Sequence, residues 1–253
     1  MTLIKVPEMD LTFLSLNVQY FSGPESNERT FLKRKISIKE QDHYINQLVK
    51  TARQEDVSTL CLQEIDCDSG RTGRRNQAEA VKSKLEELTG QKHYLQFGSC
   101  IDLDEIKYPL FWGSARRTKR VLKVLGVDTD QLPEDPEEKI RLHFGNATIS
   151  RYPLTDEVHH YYIPRTWAPL MYLKMIFNKD EWKSLLACRL DYCPEIAEKV
   201  PLFIYNTHLE NADKKNRQFQ FKDLGEKLRS KVNAHKILAG DFNENPTDEA
   251  HRA

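Results

Sequence analysis

The chain has 253 residues, enough to bury a sizeable core as one large domain or two small ones. With 39% hydrophobic and 30% charged residues and a formal net charge of zero, it has the composition of a soluble globular protein and no global field pointing to a nucleic-acid or membrane partner. Its cysteines, Cys61, Cys67, Cys100, Cys188 and Cys193, are odd in number, irregularly spaced and contain no Cys-x-x-Cys pair, which disfavours a zinc site or disulfide framework.

In chain order, Met1 to Asp10 holds too few apolar residues for a signal segment. No stretch approaches the length of a membrane span. The expected compartment is the cytoplasm, with export by a signal that composition cannot reveal left open. Thr12 to Leu16 reads as a buried strand ending at Asn17. Ile45, Leu48, Val49 and Ala52 recur at helical spacing within 37–55. Val57 to Gln63 is a second strand ending at Glu64, and Ala78, Val81, Leu85 and Leu88 mark a second helix closed by Gly90. His93 to Gly98 reads as a short strand, Ala147 to Ser150 then precedes Pro153, and β-like runs follow near Val158 to Ile163, Ala168 to Phe177 and Ser184 to Leu190. Leu202 to Thr207 is a strand ending at His208. Phe221, Leu224 and Leu228 sit on a third helix, and Lys236 to Ala239 is a strand stopping just before Asp241 and Asn243.

Helices alternate with strands early and strands dominate the middle, which predicts one α/β domain over 1–253 with packed sheets and outer helices. Residues 103–143 form a charged insertion, part helical from Lys119 to Leu125, that includes the basic cluster Arg116 to Arg120 and then Asp128, Asp130, Glu134 and Asp135. Asp128 and Asp130 lack the downstream glycine and glutamate of a calcium loop. The clusters Arg71 to Arg75 and Arg116 to Arg120 are short, and the second is better taken as a solvated face.

Four strand ends thus carry residues suited to oxygen chemistry: Asn17, Glu64, His208, and the pair Asp241 and Asn243. Each has an ordinary alternative. Asn17 could cap a turn, Glu64 could begin a loop, His208 could be a satisfied core histidine, and Gly-Asp-Phe-Asn could be a turn bonded to its own backbone. Together they form a set that could hold a hard divalent cation and a phosphate oxygen at the end of a sheet.

These segments carry a family resemblance. Leu14 to Asn17, Leu62-Gln63-Glu64-Ile65-Asp66, Gly145 to Leu154, Asn206-Thr207-His208-Leu209 and Gly240-Asp241-Phe242-Asn243 resemble, in order, the motifs of the endonuclease/exonuclease/phosphatase superfamily. That group includes pancreatic-type DNases, apurinic endonucleases, neutral sphingomyelinases, inositol polyphosphate phosphatases and deadenylases. The resemblance implies a DNase I-like four-layer α/β sandwich of two packed mixed sheets with outer helices. It further implies Mg2+-dependent attack of metal-activated water on a phosphodiester or phosphomonoester, with Mn2+ as a substitute. Glu64 would be the principal metal ligand with Asn17 beside it. Asp241 would orient or deprotonate the water, Asn243 would hold it or a phosphate oxygen, and His208 would stabilise phosphoryl charge or assist the leaving group. Arg71, Arg75, Asn76 and Gln77 resemble an arginine-bearing loop of small bacterial members, so Arg71 and Gln77, with Asn146, are expected substrate-binding residues. Arg217 and Gln218 match a pattern expected to be structural.

Two departures qualify the resemblance. Phe144 stands where many relatives have tyrosine, and the Ser-Asp-His motif that follows Gly-Asp-Phe-Asn in relatives is absent, with His251 not its replacement. The fold is therefore expected to be C-terminally incomplete. The chain is either truncated or a weakened or inactive member that binds a phosphorylated ligand or a protein, the 103–143 insertion being a candidate contact surface. A lipid headgroup or a small phosphodiester suits the zero net charge better than a dedicated nucleic-acid substrate. Only Tyr108 to Trp112 and Trp167 to Tyr172 hint at membrane docking.

Overall fold

The computed structural model describes residues 1–6, 9–22, 36–69, 72–106, 140–162, 183–192, 201–210, 214–231 and 233–244. Arg71, most of the 103–143 insertion, the run at 168–177, the aromatics at 108–112 and 167–172, and His251 lie outside these residues.

Among the described residues nine strands form two mixed sheets. The first contains β1 (Thr2–Val6), β2 (Leu11–Asn17), β3 (Thr59–Cys67), β4 (Tyr94–Ile106) and β5 (Ile140–Ser150), in the order β1-β2-β3-β5-β4. The second contains β6 (Leu154–Tyr162), β7 (Lys183–Leu190), β8 (Leu202–His208) and β9 (His235–Asp241), in that order. Among these described strands, β2/β3 and β8/β9 pair in parallel and the other neighbours antiparallel. Strand β1 was not anticipated: Leu3, Ile4 and Val6 alternate well enough to add an edge strand, but Lys5 and the short run weaken the signal. The fourth strand is longer than His93 to Gly98 implied, because its pairing with β5 continues to Ile106↔Ile140, where the insertion leaves and returns.

Helix α1 (Ile38–Gln54) is capped by Ser37, whose Oγ accepts from Glu40 N at 3.1 Å. Helix α2 (Gln77–Thr89) starts at Asn76, whose Oδ1 accepts from Glu79 N at 2.9 Å, and stops at Gly90 with φ 68°. Helix α3 (Lys214–Ser230) buries Leu224. Among the described residues no helix is long and apolar enough to cross a membrane.

The period-2 alternation of strands sorts the side chains into layers. Leu14, Leu60 and Leu62 face α1 and α2, joining Ile45, Val49, Val81 and Leu85. Phe203, Tyr205, Leu185 and Ala187 face α3 and Leu224. Between the sheets lie Phe13, Cys61, Leu186, Cys188, Ile204 and Ala239. The result is four layers, helix–sheet–sheet–helix. Truncating a fully buried member such as Leu62 to alanine would cost about 2–5 kcal/mol.

Along this inner face, polarity rises toward one end. Phe13 is followed on the same side by Ser15 and Asn17, Ile204 by Asn206 and His208, and Ala239 by Asp241. Strand β3 follows the same course through Cys61 and Gln63, and there the alternation breaks. A bulge separates the pairs Leu62↔Ala147 and Ile65↔Gly145, and Glu64 has φ 55°. Strict alternation would send Glu64 toward the helices. The extra residue instead lets Glu64 follow Gln63 to the inner end while Ile65 returns to the helix-side core.

Candidate active site

The ends of β2, β3, β8 and β9 meet where the parallel pairs finish, and the polar residues expected from the sequence come together there. Asn17 Nδ2 donates to Glu64 Oε1 and to Asp241 Oδ2, both at 2.8 Å. One amide therefore bridges carboxylates from opposite sheets. Asn17 Oδ1, the atom that could ligate a cation, accepts from Gln19 N at 3.0 Å. The tip of β9 is the Asx-type turn that the sequence left as an alternative: Asp241 Oδ1 accepts from Asn243 N at 3.0 Å. That bond uses one carboxylate oxygen and leaves Oδ2 for the site, so the turn and the cluster coexist. Asn243 Nδ2 donates to Leu209 O at 2.7 Å. Gly240 is required here, with φ 153° and Thr207 O so close that a Cβ would overlap it.

His208 lies behind the carboxylates with only 1% of its surface exposed. Its Nε2 is 3.6 Å from Glu64 Oε1 and 3.9 Å from Asp241 Oδ2, beyond hydrogen-bond length. Lys183 Nζ approaches the same Nε2 at 2.9 Å. Burial, and secondarily the Lys183 charge, hold the imidazole pKa well below its usual value. The ring is therefore neutral at physiological pH, and its contacts with the carboxylates are not ion pairs. The positive charge in this corner belongs to Lys183, itself 1% exposed. Sequence reasoning missed Lys183 because β7 was read as starting at Ser184, one residue later than it does. The only available signal was a lysine directly before the run Ser184 to Leu190.

Other expected residues have supporting positions. Gln77 is wholly buried, with Oε1 accepting from Asp66 N at 3.0 Å and Nε2 donating to Gln41 Oε1 at 3.0 Å, so it steadies the chain after Glu64. Arg75 pairs with Asp42 on α1 at 2.6 Å. Asn146 lies opposite the bulge, wholly buried, and its Nδ2 donates across to Ser184 O at 3.0 Å. Its Oδ1 is buried without a hydrogen-bond partner. Arg217 bonds Glu244 and donates to Glu210 O at 2.9 Å, tying together the segments beside His208 and Asn243.

The model of the Endonuclease/Exonuclease/phosphatase family matches residues 14–253. The chain belongs to that family. Solved structures with the same fold include an endonuclease/exonuclease/phosphatase family protein from Bacteroides thetaiotaomicron (TM-score 0.54, 12% identity, 95% of this chain and 66% of that one). Another, from Leptotrichia buccalis, has TM-score 0.51 and 16% identity over 93% of this chain and 67% of that one. The human Nocturnin catalytic domain has TM-score 0.51 and 16% identity over 99% of this chain and 70% of that one. The chain spans about two thirds or less of the length of several of these relatives, down to 44% for one from Beutenbergia cavernae. No curated protein matches the sequence.

The donor set of this family member fits a hydrated, hard cation. Glu64 and Asp241 supply carboxylate oxygens close enough to share the Asn17 amide as one donor. Among the described residues no group of three or more His, Cys, Asp or Glu side chains is arranged to hold a metal ion. Magnesium does not need one, because it keeps several waters and binds through one or two carboxylates. A groove of about 360 Å³ lies between α1 and the end of β2, lined by Leu16, Tyr44, Gln47 and Leu48, and of the residues gathered here only Asn17 borders it.

Proposed function

We propose that this family member hydrolyses a phosphate ester with Mg2+ as cofactor and Mn2+ as a working substitute. The observation that carries the reading is the convergence of Glu64 Oε1 and Asp241 Oδ2 on Asn17 Nδ2, at 2.8 Å each, in front of buried His208 and Lys183. Carboxylates held this close favour a donor or cation between them. Glu64 and Asp241 would hold the ion, with Asn17 beside them. When bound, Mg2+ would supply Lewis-acid polarisation of a phosphoryl oxygen and a lowered water pKa.

The protein's own groups divide the remaining work. Asp241, its Oδ1 fixed by Asn243 N, would orient the attacking water beside the ion. Asn243 holds that water or a phosphate oxygen. His208, neutral, is limited to hydrogen bonding at a phosphoryl or leaving-group oxygen. Lys183 supplies the preorganised positive charge toward which phosphoryl charge develops. The substrate class is a small phosphate ester. Zero net charge favours such an ester, or a lipid headgroup, over long nucleic acid.

The test is release of p-nitrophenol from bis-p-nitrophenyl phosphate and from p-nitrophenyl phosphate, with and without Mg2+, by wild type and Glu64→Ala. Turnover that requires both the metal and Glu64 is expected. Without such a signal the enzyme reading fails, and a phosphate-ligand or protein-binding role takes its place.

A further inference from the structure

The site is assembled from two sheets, so something must fix their relative position at this end. Asn17 and Glu64 come from the first sheet, and His208 and Asp241 from the second. Directly beneath them the inner face carries two carboxamides, Gln63 at 1% and Asn206 at 0% exposure. Both lie in the motifs that also contain Glu64 and His208.

Gln63 Nε2 donates to Asn206 Oδ1 at 2.7 Å, a direct bond between sheets. Asn206 Nδ2 donates back to Leu62 O at 3.2 Å and to Ala147 O at 2.9 Å. Leu62 and Ala147 are the last register partners before the bulge that turns Glu64 to the inner face. The amide from β8 thus holds the two carbonyls at the edge of that distortion. A bulge disrupts the local ladder, and Asn206 adds hydrogen bonds from the opposite sheet to the two carbonyls beside it. Gln63 Nε2 also donates to Cys61 O at 2.9 Å, which locks its own side chain across the same turn of β3.

We infer that the Gln63–Asn206 carboxamide pair is a positioning device that sets the separation between the Glu64 and Asp241 halves of the metal site. The inference rests on the metal-site reading above and goes beyond it by naming what holds the site together. Asn206 lies two residues before His208 and is the register partner of Ala239, two before Asp241. Glu64 directly follows Gln63. A shift of the pair therefore moves ligands from both sheets. An apolar layer would fill the same space without fixing the spacing, because dispersion is not directional, whereas paired carboxamides accept only one registry.

The experiment is calorimetric titration of the full chain with Mn2+, for wild type, Asn206→Leu, Gln63→Met and the double variant, at a temperature where circular dichroism finds each folded. Each single variant is expected to bind Mn2+ about 10- to 100-fold more weakly, the range for residues that orient metal ligands. The double variant is expected to be no weaker than the weaker single one, since both remove one coupled unit. Lower melting temperatures with unchanged Mn2+ affinity would make the pair a packing element and overturn the inference. If Asn206→Leu does not fold, Asn206→Ser takes its place, and Gln63→Met, which leaves the Asn206 bonds to Leu62 and Ala147 intact, decides by the same criterion. Wild-type protein that takes up no Mn2+ overturns the metal-site reading itself, and the pair's role with it. Tight binding by wild type and variants alike overturns only the positioning role.

Discussion

The two halves of the site are built by opposite means. Glu64 reaches the inner face because β3 breaks its pattern, through a bulge and a backbone φ of 55°. His208 and Lys183 are placed by unbroken pairing, with Ser184 opposite His208 and His208 opposite Asp241. The carboxylate of Glu64 stays 12% exposed, while the imidazole of His208 is at 1%. The contrast follows from what each half must do. On the proposed reading, the carboxylate serves a hydrated cation and has to stand at the rim, where regular alternation would not put it. An imidazole that is to stay neutral has to be sealed from water, and regular strands do that best.

The largest effect should come from the broken strand. Glu64→Ala is expected to lower metal-dependent turnover by about 100-fold or more while leaving the melting temperature near that of wild type, because it empties the rim and not the core. A variant with near-normal turnover would mean that the distorted half is not the catalytic half. Next comes the sealed half. Lys183→Met keeps the aliphatic stem and removes the charge, and should lower kcat by about 10- to 100-fold with little change in Mn2+ affinity. If Mn2+ affinity changes instead, Lys183 acts on the carboxylates and the two halves are not separate.

The same contrast explains what could be read from the sequence. Regular elements were legible, because Leu202 to His208 and Lys236 to Asp241 are apolar runs that end in polar residues, and α2 announces its end with Gly90. The strand-end residues Asn17, Glu64, His208 and Asp241 were legible as a set for the same reason. The bulge was not, since a one-residue insertion in Leu62-Gln63-Glu64-Ile65 leaves no mark on residue type. Nor were the roles of Gln63, Asn146 and Gln77, whose partners lie on Asn206, Ser184 and Asp66. Hydrogen bonds between distant segments have no local period to detect.

The sealed half also makes a pH prediction for the metal-free protein. The His208 pKa in the folded state lies well below 6.5, its unfolded value, through burial first and the Lys183 charge second. Between those two values the unfolded chain binds more protons, so stability is intact above 6.5 and is lost as pH falls below it. His93, lowered mainly by burial, acts in the same direction. Urea unfolding in EDTA should show stability falling by about 1 kcal/mol per pH unit below this threshold for His208 alone. His208→Asn should flatten that slope, and an unchanged slope would assign the acid sensitivity to other groups.

The smallest effect is expected at the far end of the same sheets. Arg151, in the Ser-Arg-Tyr-Pro run, follows the pair Thr59↔Ser150, at the start of β3 and opposite to the end that carries Glu64. Its Nη1 donates to Asp56 Oδ1 at 2.8 Å and its Nη2 to Asp56 O at 3.2 Å, clasping the turn that leads into β3. Asp56 is largely exposed, so solvent weakens the pair, and Arg151→Ala should lower stability by only about 0.5–1 kcal/mol. Turnover and Mn2+ affinity should stay within about twofold of wild type, since ladder pairs and the whole inter-sheet core separate this turn from the carboxylates. A motif residue so placed shapes the scaffold without touching the chemistry. A loss of Mn2+ affinity in Arg151→Ala would mean that the register of β3 is set from its start, and that the bulge alone does not place Glu64.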